Sequence, residues 1–264
     1  MNQTLSALTD RTVGEIATEI PGAIRIFETW GIDYCCGGLT PVTDACMRAG
    51  KTVEDLATAL ASAAVPPEDL ARDWSTETLA GIARFIIDAY HDYTREELET
   101  LLALAHKVRG VHGHRHEELA KVYALVEALG VDMTPHMLKE EQVLFPYVDQ
   151  LEVAEKTGGP APTPFFGTVK NPIRMMMLEH DGVGDLLRQL REITGGYEPP
   201  ADGCFSYREL FRRLAEFELK THEHIHLENN VYFPSAVALE ERAGNPAAAK
   251  AGAVHGHGPC GCNH

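Results

Sequence analysis

Apolar residues recur at helical spacing along most of this chain. T-V-G-E-I-A-T-E-I (12–20) predicts a short helix, and P-G-A-I-R-I-F-E-T-W (21–30) a second, opened by Pro21 and ended at Gly31. D-Y-C-C-G-G (33–38) reads as a turn, with two further short helices near 41–49 and 52–63 and a linker at A-A-V-P-P-E-D-L (63–70). Four longer helices are expected: about 75–108 with Ser75 as N-cap, 115–151 interrupted near Gly130 and Pro135, 171–194, and 205–230. Gly/Pro-rich stretches at 157–167 and 195–203 separate them. No strand alternation is present, so the fold class is all-α: a small N-terminal helical domain (1–64), a four-helix bundle (75–240) and a flexible tail (243–264).

Two of the long helices carry the same pattern. Residues 136–146 read H-M-L-K-E-E-Q-V-L-F-P and residues 224–234 read H-I-H-L-E-N-N-V-Y-F-P, sharing His, Glu, Val, Phe and Pro at matching positions. His91-Asp92 precedes the first copy by 45 residues and His180-Asp181 precedes the second by 44, about one helical hairpin each. Residues four apart share a helix face, so His136/Glu140 and His224/Glu228 each present two donors together. Four histidines and two glutamates then converge on one bundle axis as a two-metal site, with two carboxylates shared and two histidines on each ion. Imidazole with carboxylate suits iron, manganese or zinc better than magnesium or calcium.

Composition narrows the function classes. Thirty-nine acidic against 23 basic residues give a formal charge of −16, which argues against nucleic acid or an anionic membrane as partner. No apolar run is long enough to span a bilayer. The N-terminal M-N-Q-T-L-S-A-L-T-D-R lacks a basic-then-apolar leader, and the six cysteines do not form a secreted disulfide pattern, so a reducing cytoplasm is the expected setting.

D-Y-C-C-G-G, Y-H-D, H-M-L-K-E-E-Q-V-L-F-P, E-H-D and H-I-H-L-E-N-N-V-Y-F-P, in that order, resemble the iron-sulfur cluster repair di-iron proteins (the RIC, ScdA- or YtfE-like family) across roughly residues 10–240. The resemblance implies a hemerythrin-like bundle with an oxo-bridged pair of non-haem irons held by His91, His136, His180 and His224, with Glu140 and Glu228 bridging. It places the family's cysteine pair on Cys35 and Cys36 and matches Glu179. It further implies repair of iron-sulfur proteins damaged by nitric oxide or peroxide, by donation of a labile iron. Nitric oxide reduction at the di-iron centre is one alternative, and carriage or sensing of O2 or nitric oxide another. The oligomeric state stays open, a homodimer included.

The remaining candidates carry simpler expectations. Cys35 and Cys36, beside Gly37-Gly38, sit on a permissive backbone able to expose both thiols. Glu179 orients a ligand or donates a proton. Glu141 is expected on a solvated face, about 100° from Glu140. Phe145, Phe233, Val143 and Val231 are expected in the core, where Pro146 and Pro234 kink or close their helices. Met175, Met176 and Met177 should be core or boundary residues, and Cys46 and Cys204 structural. His112, His114 and His116 suggest a solvated connection. His255, His257, Cys260, Cys262 and His264 in the tail offer soft-metal chemistry.

Overall fold

The computed structural model describes residues 8–63 and 73–244. Every regular element among them is a helix, with one isolated bridge between Thr12 and Pro41. Most of the expected linker and the whole His/Cys tail from His255 onward lie outside the described residues.

The described part of the N-terminal unit includes four short helices: α1 (Val13–Glu19), α2 (Ala23–Trp30), α3 (Val42–Arg48) and α4 (Val53–Ser62). Reciprocal capping boxes start two of them, Thr12 with Glu15 and Thr52 with Asp55, satisfying amides that a helix start leaves bare. Gly31 ends α2 in the left-handed region, at φ 65°.

Four rods follow. The first is α5 (Leu79–Ile86), a π turn (Ile87–His91) and α6 (Asp92–His112). The second is α7 (Glu118–Lys139), a π turn (Glu140–Leu144) and α8 (Phe145–Thr157). The third is the unbroken α9 (Lys170–Ile193). The fourth is α10 (Phe205–Leu227), a π turn (Glu228–Tyr232) and α11 (Phe233–Gly244). Each rod packs against its sequence neighbours, and the fourth returns to the first, closing a bundle.

Several boundaries differ from the sequence reading. Ser75 lies in a short 3-10 turn, and Thr78 is the true N-cap of the first rod, accepting from the Gly81 amide. Neither Gly130 nor Pro135 interrupts α7. Pro146 and Pro234 do not close their helices. A proline ring clashes with the carbonyl four residues back in a regular helix. The wide turn just before each proline shifts that carbonyl, and α8 and α11 continue beyond it.

Two carboxylates lock the rod ends. Glu152 in α8 accepts from the Leu79 and Ala80 amides at 2.9 and 3.1 Å, capping the first rod. Glu240 in α11 accepts from the Val169 amide at 2.8 Å and from the Tyr147 hydroxyl, holding the start of the third. Apolar layers flank the ligand histidines on both sides. One runs from α5, α8 and α11, around Ile86, Val148 and Tyr232. The other spans the remaining rods and continues without a break into the N-terminal unit through Phe27, Tyr34 and Leu56. Fully burying a side chain such as Phe27 contributes about 1.5–3 kcal/mol. Met176 joins the core as expected, whereas Met175 and Met177 are exposed, a correction for those two.

Candidate metal centre

All six expected ligands meet in the bundle, and none is more than 3% exposed. They form two clusters that share both glutamates: His91, Glu140, His224 and Glu228, and His136, Glu140, His180 and Glu228. The donor atoms of each cluster lie within 4.8 Å of one another. The histidines cross between the two sequence halves. His91 Nε2 faces His224 Nε2 at 3.2 Å, and His180 Nε2 faces His136 Nε2 at 3.1 Å. Neither half alone completes a cluster.

The glutamates span both. Glu228 presents Oε1 to His224 at 3.0 Å and Oε2 to His180 at 3.0 Å. Glu140 Oε2 lies 3.4 Å from His91 and 3.3 Å from His136. Neither oxygen of Glu140, though buried, finds a hydrogen-bond partner. A buried carboxylate without partners is costly unless a cation completes it, so this donor set fits a metal pair.

The other face of each imidazole explains which nitrogen is bare. Glu141 accepts from His91 Nδ1 at 2.7 Å and is paired with Arg95. Glu179 accepts from His136 Nδ1 at 2.8 Å and is paired with Lys139. Asn229 Oδ1 accepts from His180 Nδ1 at 2.9 Å. Each bond fixes the proton on Nδ1 and frees Nε2 to ligate. His224 is the exception: its Nδ1 is buried without a partner, and its ring stacks on Tyr90 at 5.4 Å. Phe145 stacks on His91 and Phe233 on His180, each against the histidine of its own half.

Glu141 therefore does not sit on a solvated face, as a regular 100° step predicts. The π turn starting at Glu140 bonds Phe145 N–H to Glu140 O and widens the turn, so both glutamates point inward. The equivalent position in the second half is Asn229. Glu152 and Glu240 repeat as well, each twelve residues beyond its bridging glutamate at the end of an L-E pair.

The side chains of the cage shift one another's protonation. Burial would lower His91, but Glu140 and Glu228 raise it to about 10. His180 rises likewise to about 9, against burial, through Glu228. Burial and the neighbouring Glu228 push Glu140 up to about 8. Burial drives His136 down to about 4. Glu228 opposes its own burial and stays well below the carboxylate range because His224, His180 and His91 surround it.

The thiol loop lies against this cage. Cys35 is buried and Cys36 half-buried, and Asp33 Oδ1 accepts from both of their amides at 3.1 and 2.9 Å. Gly37 and Gly38 do not use positive φ; their small size is what matters, since a methyl at Gly38 would fall onto the Asn230 side chain. Asn230 Nδ2 donates to the Tyr34 and Cys35 carbonyls at 3.2 and 3.3 Å, and His222 meets Glu28 at 2.7 Å, docking the N-terminal unit on the fourth rod. A cleft of about 410 Å³, lined by Asp33, Cys35, Cys36, Asp181 and Arg188 among others, opens beside the thiols. At the far end of the bundle, His112 is buried against Cys204 Sγ at 3.2 Å, not solvated, and Cys204 is exposed.

Among the described residues no helix is long and apolar enough to cross a membrane. Residues 83–236 match the hemerythrin HHE cation binding domain, and residues 9–64 match a domain of unknown function (DUF542), ScdA_N. The chain is 34% identical to the iron-sulfur cluster repair protein YtfE of Pectobacterium atrosepticum over 89% of its length and all of that protein. It is 35% identical to the protein of that name from Enterobacter sp. (strain 638), over 89% of this chain and all of the relative. A probable iron-sulfur cluster repair protein of Haemophilus influenzae is 33% identical over 84% of this chain and 94% of its own. The thiol loop docked on a shared-carboxylate histidine cage, and relatives matched nearly end to end, place this chain in the hemerythrin-type iron-sulfur cluster repair protein family.

Proposed function

We propose that the cage holds two iron ions and that the protein restores damaged iron-sulfur clusters, in the cytoplasm, by giving up iron as cargo. The observation that carries this reading is the pair of buried glutamates, each reaching histidines of both clusters, with both Glu140 oxygens otherwise unpartnered. Bound iron supplies Lewis acidity and one-electron chemistry.

The chain's own residues do the rest. His91, His136, His180 and His224 would hold the ions through Nε2, and Glu140 and Glu228, shared by both clusters, would supply carboxylate oxygens to each. Glu141, Glu179 and Asn229 keep three of the four rings in the ligating tautomer. Phe145 and Phe233 keep water off the histidine faces. Protonation of Glu140, His91 and His180 competes with metal and gives a route to release. Cys36 faces the cleft from which a client would approach, as a soft ligand for outgoing iron.

The test is recovery of activity in a nitric-oxide-damaged iron-sulfur enzyme, incubated anaerobically with iron-loaded protein or with Glu140→Ala. Recovery with the first and not the second supports donation from the cage. No recovery, with nitrous oxide formed under nitric oxide, would replace donation by nitric oxide reduction.

A further inference from the structure

We propose that Asn229 is a positioning residue that couples the Cys35–Cys36 loop to the His180 side of the cage. This rests on the reading of the cage as a metal centre. Asn229 directly follows the bridging Glu228 and uses both ends of its amide. Oδ1 accepts from His180 Nδ1 at 2.9 Å, and Nδ2 donates to the Cys35 carbonyl at 3.3 Å.

Chemistry dictates that orientation. His180 keeps Nε2 for the cage, so Nδ1 carries the proton and requires an acceptor. The amide must turn its oxygen to His180, which leaves its NH2 for the thiol loop. Two hydrogen bonds therefore separate the Cys35 peptide from a ligand imidazole.

The same position in the other half is Glu141, which has no donor and reaches only His91 and Arg95. The substitution of an amide for a carboxylate at one of two equivalent positions is what creates the link. On the thiol side the loop is stiff. Asp33 Oδ1 accepts from the Cys35 and Cys36 amides, and Asn230 Nδ2 also donates to the Cys35 carbonyl. Displacement of Cys36 by a cleft occupant carries the Cys35 carbonyl with it, because their peptides are adjacent and share one anchor. Labelling requires Cys36 to leave its docked position, so its rate follows the population of that open state: metal at His180 lowers the population, and by linkage displacing Cys36 weakens metal at His180 by the same factor.

The experiment uses the full chain, anaerobic, metal-free or loaded with Fe2+. Iodoacetamide labelling of Cys36 is followed by peptide mass spectrometry, and Fe2+ uptake is measured on the same samples. In the wild type, loading should slow labelling by about fivefold or more, the lower end of ordinary coupling. Asn229→Asp keeps the acceptor for His180 and loses the donor to Cys35. Compared at saturating Fe2+, with uptake measured on the same sample, it should label at the same rate loaded or empty, an outcome that a merely structural role would not produce. Asn229→Ala should lose the coupling and also bind Fe2+ more weakly. Wild-type labelling that ignores metal, or Asn229→Asp with coupling intact, overturns the proposal. A wild-type chain that takes up no Fe2+ overturns the metal-centre reading as well, and the uptake measurement tells the two failures apart.

Discussion

The two metal positions should not hold equally. The His136–His180 position has both imidazoles supported, by Glu179 and Asn229, whereas the His91–His224 position has only Glu141. Loss of one such partner typically costs 10–100-fold in metal affinity. Iron mixed anaerobically with excess chelator should therefore leave in two phases of equal amplitude, the fast one from His91–His224. Charge-neutralising variants assign them. Glu141 accepts from His91 at 2.7 Å, and Glu179 accepts from His136 at 2.8 Å, both as charged acceptors. A hydrogen bond to a charged group contributes about 1.5–3 kcal/mol and a neutral one about 0.5–1.5. Glutamine at either position should thus lose about 1–1.5 kcal/mol, roughly five- to tenfold in affinity. Glu141→Gln should accelerate only the fast phase, and Glu179→Gln only the slow one, moving the two together. Release in one phase from the wild type, or Glu179→Gln quickening the fast phase alone, would refute the assignment.

Three further outcomes follow from the same contacts. Gly38→Ala drives a methyl into Asn230 and should cost about 1–3 kcal/mol in thermal unfolding, with much of the loss recovered in the Gly38→Ala/Asn230→Ala double variant. The His222–Glu28 pair should stabilise docking most between about pH 4.5 and 6.5. Against burial, Glu28 raises His222, so its contribution is complete below the ordinary histidine value and fades as pH climbs past the raised one. Also against burial, His222 lowers Glu28, whose share is present above the ordinary carboxylate value and fades as pH falls past the lowered one. Glu28→Gln should flatten the melting-temperature profile over that range, and an unchanged profile would remove the pair from docking. Because His91, His180 and Glu140 are raised to about 10, 9 and 8, protons compete with metal for them, and iron loss to a chelator should be faster at pH 6 than at pH 8.

The helical class and the convergence of four histidines and two glutamates were legible because both rest on local periodicity, and His-x-x-x-Glu says which side chains share a face whatever the tertiary context. What the sequence hid lies one residue to either side. Glu141 was assigned outward because a regular helix rotates it about 100° from Glu140, and the π turn cancels that step. A signal for it was present: a proline six residues after each bridging glutamate, in a helix that must continue, demands a widened turn before it. Asn229 carries no charge and so drew no attention as a partner of His180. Glu152 and Glu240 lie six residues past the prolines that end the repeat. His112 was invisible for a different reason: its ring meets Cys204 and Tyr207, more than ninety residues away, and no local pattern reports that.

Duplication explains the site, and departure from duplication explains what the site can do. A perfect repeat would give two equivalent metal positions, with the same residue after each bridging glutamate and the same residue before His91 and His180. The chain breaks the symmetry at both places: Glu141 against Asn229, and Tyr90 against Glu179. The first change turns one histidine support into a connector to the thiol loop. The second replaces a carboxylate support by a stacked ring and leaves His224 Nδ1 alone. Glu140 and Glu228 belong to both clusters, so on the proposed reading an ion beside His136 and His180 would keep the same two carboxylates after the other had left. The proposed release of a single ion uses this asymmetry: one position has both rings supported and the other has one ring bare.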